Sequence, residues 1–292
     1  MGLLSYNVDK FPRVYTDLLY QLLTTNHSEV NERTGTKIKT LEGGCSFRLD
    51  LADGLIPVPG ARRVYPKTAA AEVAWFLRGE QDTDWIGKYT KIWDKFTEDD
   101  GKVEAAYGYR WRKRFGRDQI QRACEALSKN PTDRRIFVSA WDPATDGLGE
   151  PDQKNVPCPL GFTLSIVDDQ LHSSLFIRSS DVFVGLPYDI MGHAMLMGIF
   201  AHTIQSWPGA VIVPGIMHVT LAHPHLYEPH FDMARRCVCM GENGQTVSQG
   251  PLLQYWHLDD VTINGDDFVQ AYIDADKKVS HPKYNPRPEL VL

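Results

Sequence analysis

The run from Tyr188 to Ile204 (YDIMGHAMLMGIFAHTI) constrains the fold more than any other segment of the chain. It stays apolar for about four helical turns, and a helix that is hydrophobic all round must be wrapped by other elements. Nowhere does the sequence reach the roughly 18 uncharged apolar residues of a membrane-spanning helix. The helix is therefore expected inside a globular core, and a chain of 292 residues is long enough to build one without staples. With 42% hydrophobic and 23% charged residues, the composition lies far from that of a disordered chain.

Other elements alternate around this helix. Residues 11–25 place Val14, Leu18, Leu19 and Leu22 at helical spacing. Further helices are predicted over AAAEVAWFLRG, capped by Thr68 and ending near Gly79, and over Asp118–Leu127. Strands are predicted at Ser46–Leu51, Arg135–Trp141, Phe162–Val167 and Leu171–Arg178. Asn31–Gly35 reads as a polar turn and Pro143–Lys154 as a surface loop. There is no internal repeat, low-complexity tract or linker. Residues 1–292 thus read as one α+β domain, a mixed or mostly antiparallel sheet packed with helices.

A net charge of −6 argues against a nucleic-acid surface but permits a local cationic pocket. The five cysteines, Cys45, Cys124, Cys158, Cys237 and Cys239, are odd in number and form no CxxC pair. That pattern fits a reducing, cytoplasmic setting better than a disulfide framework. The N-terminal stretch meets Asp9 and Lys10 too early for a signal peptide.

Five features could carry chemistry. Cys158 stands between Pro157 and Pro159, after a polar loop and before a strand. It is either a nucleophile or a small buried hydrophobe, and a nucleophile needs nearby cations. Arg33, Arg134, Arg135 and Arg178 could supply them, or could be solvated surface charge; guanidinium forks match a phosphate dianion well. Arg134 and Arg135 cannot both face one pocket if they already lie in a strand. Glu72 sits inside an apolar helix, where burial would raise its pKa and suit it to proton transfer, unless the register turns it to solvent. Asp189 opens the apolar run, a position that capping and dipole effects alone would favour. His218, His223, His225 and His230 cluster without matching a zinc pattern, and no metal is expected. Cys237 and Cys239 read as structural.

Taken together, ERTGT (32–36), AEVAWFLRGE (71–80), KIWDKF (91–96), AAYGYRWR (105–112) and DQI (118–120) resemble the thymidylate synthase superfamily. The resemblance continues through NPTDRRIFVSAWDP (130–143), NVPCP (155–159), RSSDVFVGLPYDI (178–190) and PHLYEPH (224–230), in matching order and spacing. It implies that fold and a homodimer formed through the sheet. It implies that Cys158 adds to C6 of a pyrimidine nucleotide, that Glu72 relays protons through water, and that Tyr107 belongs to the active site. By the same resemblance Arg33, Arg178 and Ser179 bind phosphate, Arg134 and Arg135 reach the partner subunit's phosphate, and His225 and Tyr227 hold the sugar 3′-hydroxyl. Asp181 joins the substrate and cofactor contacts, and Ile92, Trp93, Gly185 and Tyr188 line the site of 5,10-methylenetetrahydrofolate. A small nucleotide, not nucleic acid or a membrane, is the implied partner.

The departures from the family pattern sharpen this reading. Thymidylate synthases carry Asn where this chain has Asp189. An amide complements the O4 acceptor and N3–H donor of uracil, whereas a carboxylate accepts from the N4 amino group and protonated N3 of cytosine. An unmatched buried polar contact costs roughly 1–3 kcal/mol, so Asp189 predicts cytosine over uracil by about tenfold to several hundredfold. Asp here resembles the deoxycytidylate-modifying branch. Pro159 replaces the usual His after the nucleophile. The ending YNPRPELVL resembles the family's closing tail but stops about three residues short, and a less completely closed site favours water over hydride at a C5-methylene adduct. The expectation is a dCMP 5-hydroxymethyltransferase. The alternatives are a dCMP 5-methyltransferase and, behind it, a CMP hydroxymethylase or a thymidylate synthase. Such enzymes serve phage DNA modification, which would place the protein in a host cytoplasm, or nucleoside-antibiotic synthesis.

Overall fold

The computed structural model describes residues 9–32, 34–148, 155–204, 211–242 and 250–278. Its helices are α1 (Phe11–Thr24), α2 (Pro66–Arg78), α3 (Tyr107–Tyr109), α4 (Gln119–Lys129), α5 (Leu186–Ile204), α6 (Phe231–Glu242), α7 (Leu258–Ile263) and α8 (Gly265–Asp276). Its strands are β1 (Ser28–Asn31), β2 (Thr36–Thr40), β3 (Cys45–Asp50), β4 (Phe137–Ser139), β5 (Pro159–Val167), β6 (Gln170–Asp181) and β7 (Val213–Tyr227). The apolar run forms α5, and Ile190, Met191, Ala194, Met195, Met197 and Phe200 are each fully enclosed.

The seven strands form one sheet in the order β1-β2-β7-β6-β5-β4, with β3 also paired to β7. All neighbours are antiparallel except β6 and β7, which run parallel and are joined through α5. Parallel neighbours need such a crossover, since no tight turn can reverse the chain twice. The parallel register sets Ser179 opposite His223 and Asp181 opposite His225. On the other side of β7, Thr40 lies opposite His225 and Ile38 opposite Tyr227. Along β6, Leu171, Ser173, Leu175 and Ile177 are buried while His172, Ser174 and Phe176 are half-buried on the opposite face. The chain is thus α+β around a mixed sheet.

Local chemistry corrects two boundaries. Thr68 does not cap α2: the helix begins at Pro66, with Tyr65 at the N-cap position. Proline's fixed φ and missing N–H suit the first helical turn, so the start moves three residues earlier. Gly79 ends the helix in the left-handed region at φ 64°. The strand expected from Arg135 is only Phe137–Ser139, so Arg134 and Arg135 both precede it. Asp118 does cap α4, accepting the Gln121 amide at 3.0 Å.

Candidate active site

A cavity of about 920 Å³ opens between α2, α5 and the ends of β2, β6 and β7. Its lining includes Cys158, Glu72, Asp189 and Tyr107, together with Arg178, Ser179, Asp181, His225 and Tyr227. Ile92, Trp93, Gly185 and Tyr188 also face it. Residues spread from 72 to 227 are therefore brought to one place by the core helix and the paired strand ends. Arg134 and Arg135 are not among the lining residues. Both are exposed, and Arg135 pairs with Asp133 at 3.0 Å. Arg33 and the tail 284–292 lie outside the described residues.

Cys158 immediately precedes β5, half-buried, with Pro159 as the first strand residue. Arg178 braces this corner. Its Nε donates to the Pro157 carbonyl at 2.8 Å and its Nη2 to the Val156 carbonyl at 2.7 Å. The same Nη2 lies 3.9 Å from the Cys158 sulfur, so positive charge stands beside the thiol. Arg178 Nη1 makes no hydrogen bond among the described residues.

Two carboxyl groups share the cavity. Glu72 extends from α2, and the Trp93 indole donates to its Oε1 at 2.8 Å. Burial pushes its carboxyl up to about 7, against a smaller opposing effect of that hydrogen bond. Asp189 lies in the first turn of α5. Burial, with added repulsion from Glu72 and Asp181, pushes its carboxyl up to about 8. Each retains some accessible surface, which faces the cavity. Neither Asp189 oxygen hydrogen-bonds to a described residue. The Tyr107 hydroxyl is held well above its ordinary pKa, chiefly by burial and then by the nearby Cys158 and Asp189.

Asp181 has a divided role. Its Oδ1 accepts the amides of Phe183 and Val184, each at 3.0 Å, which fixes the turn into α5. Its Oδ2 makes no hydrogen bond among the described residues, and Ile92, Trp93 and Tyr188 add apolar and aromatic surface to the same cavity. An apolar and aromatic wall beside the Asp181 carboxylate suits a pterin ring, and the volume is at the upper end of ligand pockets. The residues present fit a folate.

The histidine cluster is dispersed. His218 is on β7 opposite Arg48 of β3, while the ring of His225 stands 5.1 Å from that of Tyr227. Among the described residues no group of three or more His, Cys, Asp or Glu could hold a metal ion. None of the five cysteines forms a disulfide. Cys124 and Cys237 are buried, but Cys239 is exposed on α6 and is not a core residue.

Sequence reasoning missed Phe76, Trp111 and His193, which also line the cavity. Each stands one helical turn after a recognised residue: Glu72, Tyr107 and Asp189. The i, i+4 relation was available in the sequence. His193 is buried, and its Nε2 lies 2.7 Å from Ser173 Oγ. Burial pushes its pKa down to about 3, so the ring is neutral. Ser180 Oγ and Trp111 Nε1, both buried, have no hydrogen-bond partner among the described residues.

A mixed sheet presenting a thiol, two proton-holding carboxyls and a guanidinium in one cavity defines a class of protein equipped for covalent and acid–base chemistry. A family model described as thymidylate synthase matches residues 13–263, and the chain belongs to that family. Its general chemistry is one-carbon transfer to C5 of a pyrimidine nucleotide, with 5,10-methylenetetrahydrofolate as the donor.

Proposed function

We propose that the protein is a dCMP 5-hydroxymethyltransferase using 5,10-methylenetetrahydrofolate. The observation that carries this reading is Asp189, a carboxyl pushed up to about 8 in the cavity that holds Cys158 and Glu72. At neutral pH its acid form donates to N3 of cytosine while its other oxygen accepts from the N4 amino group. Passing the proton to N3 leaves a carboxylate that accepts from both positions and makes the ring a better electrophile. The Cys158 thiolate then forms a bond to C6, and the displaced electron pair makes C5 nucleophilic. Arg178 and Ser179, with Arg33, would hold the phosphate; His225 and Tyr227 would hold the sugar.

Ile92, Trp93, Asp181, Gly185 and Tyr188 would hold the folate, which supplies the one-carbon unit when bound. Glu72 has a pKa of about 7, near the value that favours proton transfer at neutral pH, so it can take the C5 proton and orient water. Trp111 Nε1 and Ser180 Oγ are buried donors without partners among the described residues, which suits retained water. Release of tetrahydrofolate would leave a C5-methylene carbon; water adding there, with Glu72 taking its proton, and expulsion of the Cys158 thiolate from C6 would give the hydroxymethyl nucleotide. A dCMP 5-methyltransferase is the second reading, favoured by Trp93, which lines the cavity at a position implied to pack on the folate in methylating enzymes.

We read 1–292 as a single catalytic domain acting as a homodimer through the sheet. The half-buried face of β6 would meet its twin, and the exposed Arg134 and Arg135 would complete the partner's phosphate site. The test is incubation with dCMP, dUMP or CMP and methylenetetrahydrofolate, reading products by mass and dihydrofolate by absorbance. Hydroxymethyl-dCMP without dihydrofolate is expected. Methylated dCMP with dihydrofolate would select the second reading, and turnover of dUMP alone would overturn the base assignment. Cys158→Ser should abolish product while nucleotide binding persists.

A further inference from the structure

We propose that Asp266, on α8, is a positioning residue that holds the cofactor wall at Ile92 and Trp93. This rests on the reading of those two residues as folate contacts. Helix α8 lies beyond the residues matched by the family model and packs along α2, the helix that carries Glu72. At its first residue the packing is close: a Cβ on Gly265 would stand 3.0 Å from the Trp85 ring and 3.4 Å from Ala74 Cβ. The next residue, Asp266, accepts two hydrogen bonds from the segment leading to the wall. Tyr89 Oη donates to its Oδ1, and Trp85 Nε1 donates to its Oδ2 at 3.5 Å.

The connection from this anchor to the cavity is short and tightly turned. The amides of Tyr89 and Thr90 both donate to the Ile86 carbonyl, at 2.9 and 3.1 Å. The Phe96 amide donates to the Trp93 carbonyl at 2.9 Å. The Arg78 guanidinium lies over Trp85, 5.2 Å from the ring centroid. Trp93 in turn packs on Trp75 of α2 with centroids 5.0 Å apart. The wall is therefore fixed at one end by α2 and at the other by Asp266. The bond to Tyr89 keeps Asp266 below its ordinary pKa, as a carboxylate accepting a charge-assisted hydrogen bond should be.

Three variants of the full chain test this: Asp266→Ala, Asp266→Asn and Tyr89→Phe. Backbone hydrogen exchange over Thr90–Phe96 is measured without ligand, and KM is measured for folate and for nucleotide. Asp266→Ala should speed exchange and raise the folate KM by about tenfold, the effect of losing a hydrogen bond to a charged acceptor. Its kcat and nucleotide KM should stay within about twofold. Tyr89→Phe should do the same, and adding it to Asp266→Ala should cost nothing further. Asp266→Asn keeps an acceptor for Tyr89 and should recover most of the loss. Unchanged exchange and folate KM, or a fall in thermal stability with both KM values unaltered, would overturn the proposal. If wild-type protein uses no folate, the functional reading fails, and the ligand-free exchange still decides whether Asp266 holds the segment.

Discussion

At the scale of single residues, the cavity holds two carboxyls whose protons are retained near neutral pH. Their folded values, about 8 for Asp189 and about 7 for Glu72, lie above those of an unfolded chain. The folded state therefore binds more protons between about pH 4 and pH 8, and stability falls as pH rises through that window. Asp189→Asn removes this penalty. Melting curves should show the variant more stable than wild type by about 1–3 kcal/mol at pH 8 and nearly equal at pH 4. The same substitution should move base preference towards dUMP by roughly tenfold to several hundredfold in competition assays; no shift would mean the base is read elsewhere. With dCMP, kcat/KM should decline above about pH 8 as the Asp189 proton is lost. Asp189 was legible in the sequence because a carboxylate stands where the family has an amide. Its retained proton was not, because that depends first on how deeply the fold buries the carboxyl and then on Glu72 and Asp181 sharing its cavity.

Elements place these residues through a few close approaches. Gly108 lies against α2 so tightly that a Cβ would fall 2.0 Å from the Phe76 carbonyl oxygen. That contact seats Tyr107 beside the cavity. Gly108→Ala should cost at least about 2 kcal/mol in denaturant unfolding and reduce activity by displacing Tyr107. The following turn, Arg110–Arg114, is a π-helix, a form often found at functional sites. Its fully buried Arg110 pairs with Asp146, also buried. Asp146→Ala should lose about 3–5 kcal/mol because it strands that guanidinium. Helix α5 was legible because most of the residues from Tyr188 to Ile204 are apolar, with only scattered polar ones between them. Strand β7 was missed although Met217, Val219 and Leu221 alternate with His218 and Thr220. Its histidines invite comparison with metal-site spacings, which they do not match, and so mask the alternation. Thr68 misled for a related reason: a good capping residue was outcompeted by the proline two places before it.

The whole molecule is organised by the sheet, one face of which supports α5 and the cavity while the other carries half-buried Ser174 and Phe176. If the proposed dimer lends Arg134 and Arg135 across that face, two inactive variants should repair each other. Mixing Cys158→Ser with the Arg134→Ala/Arg135→Ala pair and allowing subunits to exchange should restore about a quarter of wild-type activity. Half of the dimers would then be mixed, each with one intact site. Absence of recovery, with exchange verified by mass, would place those arginines outside the partner's site. Which surfaces meet could not be read from the sequence, since a strand's outward residues are defined only once its pairing is known. The parallel joint of β6 and β7, with Ser179 beside His223 and Asp181 beside His225, also determines how this protein tolerates changes in length. Lengthening a crossover leaves the register of the strands it joins unchanged, at a modest entropic cost. A single residue added between Ser173 and Ser179 would turn the proposed phosphate and sugar ligands to opposite faces. The site is thus forgiving along the crossover and intolerant along the strand, a ready map for where the chain can be extended, labelled or cut.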